Sequence, residues 1–241
     1  EKTAQKLQAN IARLENPSTV SFQSPLKRLN GIQIYLRCRS GLEPYIKEEL
    51  QTLPTTKSKF RILRTIKELI ILTPKSTFTL TDLYSARTFS SASFLLGKID
   101  SPKDQLPLDA LASIITAPET HYLFETLTDG PIRYRLEFLF KTSSDNVRSL
   151  TEKVFSKAPK LLNDSRNAPW EIRILRIPNG YSVELTPKLR PDPRFAYRQG
   201  DVPAASHPPL AACLARLAGF HSNETVWDPF CGSGLELVER G

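Results

Sequence analysis

Methionine is missing from these 241 residues, and cysteine and histidine occur only three times each. Cys38, Cys213 and Cys231 are odd in number and far apart, so they build neither a disulfide framework nor a Cys-x-x-Cys metal site. His121, His207 and His221 are scattered without ligand spacing, so no metal is expected. Reduced thiols make a cytoplasmic setting the default. No apolar run approaches the roughly 20 residues of a membrane span, so no membrane is expected. The opening residues (Glu1, Lys2, Gln5, Lys6) lack the apolar stretch of a signal peptide. With no methionine and an abrupt end at Gly241, the sequence reads as a piece of a longer protein.

What is present is an ordinary globular composition, 40% apolar and 24% charged, on a length that suits one to two domains. The net charge of +8 is unevenly spread. Residues 131–198 carry +7 and residues 31–80 carry +5, whereas 81–130 carry −4 and 199–241 carry −3. A solvated basic face accounts for net charge alone. Segregation of positive charge into folded segments favours a polyanion partner.

Residues 1–15 place Leu7, Ile11 and Leu14 at helical spacing, and 16–30 read as a lead-in loop. Ile32 to Arg39 alternates as a strand. Ser40-Gly41-Leu42-Glu43 then matches a capping box, and a helix carrying Leu42, Tyr45, Ile46 and Leu50 follows. Phe60 to Thr73 reads as a hairpin broken near Lys67-Glu68. Thr81-Asp82 is placed to cap a helix burying Leu83, Phe89, Leu95 and Leu96. This order suits a ferredoxin-like α+β unit over 31–105, after an N-terminal helix and linker over 1–30.

Residues 106–190 read as a second α/β unit: a helix over 108–127 interrupted at Ala117-Pro118, then a strand from Ile132 to Lys141. A helix capped by Ser144 or Asp145 comes next, burying Val147, Leu150, Val154 and Phe155. A hairpin from Trp170 to Thr186 turns at Pro178-Asn179-Gly180, where Asn-Gly is a strong hairpin signal. Residues 187–206 are Pro-rich with Arg190, Arg194, Tyr197 and Arg198 between the prolines. A stiff linker and a phosphate-touching strap both fit them. Ser206-His207-Pro208-Pro209 starts a helix whose stripe is Leu210, Leu214 and Leu217.

The chain then runs Thr225-Val226-Trp227-Asp228-Pro229-Phe230-Cys231-Gly232-Ser233-Gly234. A β-prone run ending in an acid and a glycine turn, followed by an apolar helix opening, is the layout of a cofactor cradle. Glycine admits positive φ and lets a ligand approach the backbone. A dinucleotide fingerprint needs a third small residue where Leu237 stands, and no phosphate-loop Gly-Lys-Ser/Thr occurs, so nicotinamide, flavin and nucleotide triphosphate are disfavoured.

Asp228-Pro229-Phe230-Cys231-Gly232-Ser233-Gly234 resembles motif I of class I S-adenosylmethionine-dependent methyltransferases, most closely those acting on nucleobase nitrogens. Arg194 to Arg198 and Val202 to Ala212 resemble the bridge into the catalytic domain of THUMP-containing RNA methyltransferases. Leu36 to Glu43 resembles their opening strand and helix. The resemblance implies a THUMP-like RNA-binding domain over 106–190. Over 191–241 it implies a linker and then the first helix, strand and turn of a Rossmann-like catalytic domain. It implies S-adenosylmethionine as cofactor, held at Asp228, Pro229, Cys231, Gly232, Ser233 and Gly234, and RNA (tRNA or rRNA) as partner. Pro208 and its helix would border the cofactor. Ser233 either bonds the cofactor carboxylate or caps the next helix. Cys231 is read as packed and unreactive, and Glu239 as a helix-face acid. Arg133, Arg135, Arg173, Arg176, Arg194 and Arg198 are the candidate RNA contacts. The family's ribose-binding acid and its target-gripping Asn/Asp-Pro-Pro motif would lie beyond Gly241, so no catalytic residue is named and the chain alone is expected to be inactive. A non-catalytic RNA-binding module and a DNA or protein methyltransferase are the alternatives.

Overall fold

The structure, a computed structural model, describes residues 15–101, 106–198, 200, 205–219 and 223–240. Apart from Glu15, the expected N-terminal helix lies outside the described residues. The chain divides into two compact units of mixed α/β structure. One joins the segment up to Leu26 with Ser93–Lys188; the other joins Lys27–Ala92 with the segment from Leu189 onward. The breaks thus follow Leu26, Ala92 and Lys188, where periodicity suggests residues 30, 105 and 190.

Strand β1 (Thr19–Val20) belongs to the first unit and pairs antiparallel with Thr128–Asp129. The second unit then contributes β2 (Ile34–Arg37), α1 (Glu43–Thr52), α2 (Pro54–Lys59), β3 (Phe60–Ile66), β4 (Leu69–Pro74) and α3 (Leu80–Leu83). Its strands lie antiparallel in the order β3–β4–β2. The hairpin turns where expected, at Glu68, whose φ is +63°. α1 buries Ile46, Glu49 and Leu50, spaced i, i+3, i+4 on one face. Its expected capping box does not form. Glu43 instead accepts from the backbone N–H groups of Gly41 (2.8 Å) and Glu68 (2.6 Å), so its carboxylate ties the helix start to the hairpin turn. Those bonds hold the Glu43 carboxyl below its ordinary range.

A capping box does form at α3, two residues earlier than read. Asp82 N donates to Thr79 Oγ1 (3.2 Å) and Thr79 N donates to Asp82 Oδ2 (2.8 Å). The helix lasts one turn. From Ser91 the chain is strand, so Leu95 and Leu96 do not sit on a helix. Phe94 to Asp100 instead pairs antiparallel with Gly180–Leu185, and that ladder satisfies the backbone groups a helix would have used.

The first unit resumes with β5 (Ser91–Asp100), α4 (Leu108–Ile115), α5 (Pro118–Leu127), β6 (Thr128–Asp129) and β7 (Arg133–Phe138), followed by α6 (Ser144–Lys157), β8 (Leu162–Asn163), β9 (Trp170–Ile177) and β10 (Gly180–Pro187). The strand order is β5–β10–β9–β7–β8, antiparallel except where β7 runs parallel to β8 and β9. Flanked on both sides, β10 is buried at every residue. Its carboxylate at Glu184 accepts from Ser93 Oγ at 2.7 Å. Only glycine fits at position 180, because a Cβ there would stand 1.9 Å from the Ile99 carbonyl oxygen. Ser143, not Ser144 or Asp145, caps α6, accepting from Asn146 N at 3.2 Å. That helix buries Leu150 and Val154, while Phe155 rotates to solvent and is 54% exposed.

A 3-10 turn at Pro193–Phe195, α7 (Pro208–Leu217) and α8 (Leu235–Arg240) complete the second unit. Among the described residues no helix is long and apolar enough to cross a membrane.

Candidate cofactor turn and its supports

α7 starts without help from Ser206. His207 is its N-cap and makes no side-chain cap bond. Pro208 and Pro209 fill the first turn, where a missing N–H leaves nothing unsatisfied. The expected stripe is inverted: Leu214 and Leu217 are 39% and 59% exposed, and the buried face is Pro208, Pro209, Ala211, Ala212, Cys213 and Ala215. Small residues let the helix backbone come close to its neighbours. Cys213 Sγ reaches the Thr88 carbonyl at 3.6 Å, and Arg216 Nη2 donates to Glu49 at 3.3 Å. Burial, with Glu49 adding to it, pushes the Cys213 thiol up to about 12.

The strand expected at Val226–Trp227 does not form. A strand's backbone groups need a neighbouring strand, and among the described residues none pairs there. Val226, Trp227 and Phe230 are accordingly 44%, 82% and 92% exposed. The turn itself is well defined. Asp228 Oδ1 accepts from Phe230 N at 2.8 Å, and Gly234 N donates to the Cys231 carbonyl at 2.6 Å. Val238 N to the Gly234 carbonyl (3.0 Å) opens α8. Gly232 and Gly234 adopt φ of +53° and +69°, the left-handed region where a side chain is strained. Around Gly234 a Cβ would meet nothing within 4 Å, and at Gly232 only the Phe230 carbonyl at 4.0 Å. Open space over a left-handed backbone suits a ligand that approaches the chain itself. Pro229, Cys231 and Ser233 line the same exposed loop. Cys231 is therefore exposed, not packed, because no strand draws the loop into a core.

Glu239, read as a surface acid, is the anchor of α8. Its side chain is fully buried. Arg87 donates to both its oxygens, through Nε and Nη2, at 2.7 Å each, and the Tyr197 hydroxyl bonds to it as well. The Arg87 guanidinium also lies against two rings, 5.2 Å from the centroid of Phe195 and 5.4 Å from that of Tyr197. Burial first and Glu239 second push the Tyr197 hydroxyl up to about 12, and the Glu239 hydrogen bond raises Arg87 above its ordinary value. Nothing in the spacing of α8 distinguishes Glu239 from Glu236, so the pattern carried no signal for this contact. Glu49 did leave one: an acid on the apolar face of α1, three residues after Ile46.

Of the expected RNA-contacting arginines, Arg133, Arg173 and Arg194 are buried or ion-paired. Arg194 is 2% exposed at its side chain, and every nitrogen of its guanidinium is occupied. Nε and Nη2 donate to Asp192 and Nη1 donates to the Phe89 carbonyl at 2.8 Å, with the Phe89 ring 4.1 Å below. Its role is to pin the strap to the second unit, so it is not an RNA contact. Arg133 is buried at 7% exposure. Arg173 is paired to Glu137 and Glu171, both at 2.8 Å. Arg135 and Arg176 are exposed, Arg176 lying 4.7 Å over Phe140, and Arg198 is half-buried. Near the strap, burial first and then Arg39, Arg194 and Arg198 hold the His207 imidazole below its ordinary value. Among the described residues, no three His, Cys, Asp or Glu gather as a metal site.

Residues 196–241, which contain the turn, match the family described as UPF0020: RMKL-like, methyltransferase domain. No curated protein matches the chain. Solved structures do resemble it. TrmN from Thermus thermophilus is 21% identical, with a TM-score of 0.60 over 86% of this chain and 60% of its own. A predicted N6-adenine-specific DNA methylase from Listeria monocytogenes is 16% identical, with a TM-score of 0.58 over 86% of this chain and 54% of its own. SMU.472, a methyltransferase candidate solved with SAH, is 14% identical, with a TM-score of 0.58 and the same two coverages. At these identities the likeness is one of fold, and the chain spans little more than half the length of these proteins.

Proposed function

We propose that this chain is the RNA-binding part, with the opening of the cofactor site, of an S-adenosylmethionine-dependent RNA base methyltransferase. Its substrate would be tRNA or rRNA, and the guanine 2-amino group is the target to test first. The observation that carries the reading is the turn Asp228–Gly234: two left-handed glycines with open space above them, immediately before a helix. Support comes from the methyltransferase-domain family matched over 196–241 and from a fold-level likeness to a protein solved with SAH. In this reading the ferredoxin-like unit, expected over 31–105, corresponds to the compact segment that ends at Ala92, and the THUMP-like unit, expected over 106–190, to the one spanning Ser93–Lys188.

The cofactor supplies a methyl group already activated on a sulfonium, so placement matters more than a strong base. The backbone at Gly232 and Gly234 would lie against its methionine end. Asp228 would hold the loop in shape through Phe230 N, and the Ser233 hydroxyl is free to bond a carboxylate. Pro229 and Cys231 would complete the loop's ligand side. Glu239, held by Arg87 and Tyr197, would fix the helix that follows. The two units would present the RNA through phosphate contacts and shape.

The test uses the natural protein that contains this chain. Labelled methyl should pass from S-adenosylmethionine to RNA, and transfer to DNA alone would refute the RNA assignment. Gly232→Asp should abolish cofactor binding, measured by calorimetry, and leave RNA affinity within about twofold, since the turn makes no phosphate contact in this reading. Survival of cofactor binding in that variant places the site elsewhere.

A further inference from the structure

With Arg194 buried and paired, a polyanion would have to meet the second unit through other cations. Residues 54–75 hold six Lys and Arg against one acid, Glu68. Three of these cations surround a cleft of about 560 Å³ between α1, α2 and the hairpin. Its floor is apolar, formed by Leu50, Phe60 and Leu72, all buried. Its rim carries Lys57, Arg61 and Lys75, all exposed, and no carboxylate lines it. Lys57 and Arg61 form no ion pair among the described residues, in contrast to Arg173 and Arg194. Lys75 Nζ donates to the Lys57 backbone carbonyl, which holds the ammonium at the rim with two donors to spare. β3 is the end strand of its unit's β3–β4–β2 order, so an extended chain can run along it. Three like charges gathered without a counter-carboxylate repel one another until an anion joins them.

We infer that this cleft binds single-stranded RNA. Lys57, Arg61 and Lys75 contact successive phosphates, and the apolar floor takes the ribose or base face of one unpaired nucleotide. This rests on the RNA reading above and adds a contact surface that the basic strands of the other unit do not provide. A duplex keeps its base faces stacked inside and offers the floor nothing, so strand should be preferred over duplex.

The experiment compares the intact protein with its K57Q/R61Q/K75Q variant, using fluorescence anisotropy on a labelled, unstructured RNA dodecamer and the matching duplex across a salt series. Losing three phosphate contacts lowers the slope of log affinity against log salt by about 2, and affinity at low salt by at least about tenfold. A control variant, K67Q/K160Q/R166Q, removes three exposed charges outside the cleft and should lose far less. If the intact protein fails to bind RNA at all, the RNA reading falls. If it binds but the cleft variant keeps affinity and slope, the RNA reading stands and the cleft assignment is overturned. Equal loss in the control variant, equal affinity for the duplex, or equally tight and cleft-dependent binding of polyglutamate would each overturn it too.

Discussion

Glu49 joins three parts of the second unit, and removing it measures how firmly the helix before the glycine turn is held. The residue is 3% exposed. Its carboxylate accepts from Arg87 N (3.0 Å), Thr88 N (3.0 Å), Thr88 Oγ1 (2.5 Å) and Arg216 Nη2 (3.3 Å). Glu49→Ala strips a partner from two backbone N–H groups, a hydroxyl and a guanidinium at once. A buried donor left unsatisfied costs about 1–3 kcal/mol, and breaking a buried ion pair from one side costs about 3–5 kcal/mol. Arg216 retains 21% side-chain exposure, so water recovers part of its share. A loss of about 3–5 kcal/mol is expected, a large fraction of the usual stability of a domain. Glu49→Gln keeps the shape and one acceptor but turns an NH₂ toward donors, and should cost about 2–3 kcal/mol. Urea unfolding followed by far-UV circular dichroism reads both values, and a cycle with Arg216→Leu should show coupling of about 1 kcal/mol or more. A loss below about 1 kcal/mol for Glu49→Ala, or strict additivity in the cycle, refutes the junction described here.

Two further outcomes follow from the strap. Arg194→Ala should lower the melting temperature while leaving the RNA affinity of the folded protein unchanged, and Arg194→Lys should not rescue it, because an ammonium cannot reproduce the planar fork. A change in RNA affinity without a change in melting would return Arg194 to the ligand surface. His207 has its folded-state value depressed below the ordinary 6.5, chiefly by burial. The unfolded chain therefore takes up the proton first, so the stability is present above pH 6.5 and is lost as pH falls through the folded value. His207→Gln should flatten the fall in melting temperature between about pH 7.5 and 5; an unchanged slope counts against it.

The fold was legible where the chain's period matched its burial. The broken helix at Ala117-Pro118, the hairpin turn at Glu68 and the Asn179-Gly180 turn each rest on local chemistry: a missing N–H, or a backbone at positive φ. Ser91–Asp100 was not legible. Its apolar residues sit where a helix or a buried strand would put them, and only the ladder with β10, some 85 residues away in sequence, decides between the two. The inverted face of α7 has the same cause. Leucine is the better marker of a buried stripe in isolation, but Glu49 and Thr88 demand a close approach, which alanine and cysteine allow.

The candidate site divides along the same line. Glycines at 232 and 234 announce themselves, because positive φ is a property of one residue and its neighbours. The arginines do not, because an Arg donating to a phosphate and an Arg donating to Asp192 look alike in sequence. Burial separates them: Arg194 is sealed over the Phe89 ring, while Lys57, Arg61 and Lys75 stand exposed around an apolar floor. Charge density along the chain thus locates basic segments, yet only the paired or unpaired state of each cation says which of them remain available to a ligand. By that criterion Arg194 is spent within its own unit, whereas Lys57, Arg61 and Lys75 remain open to the RNA proposed above.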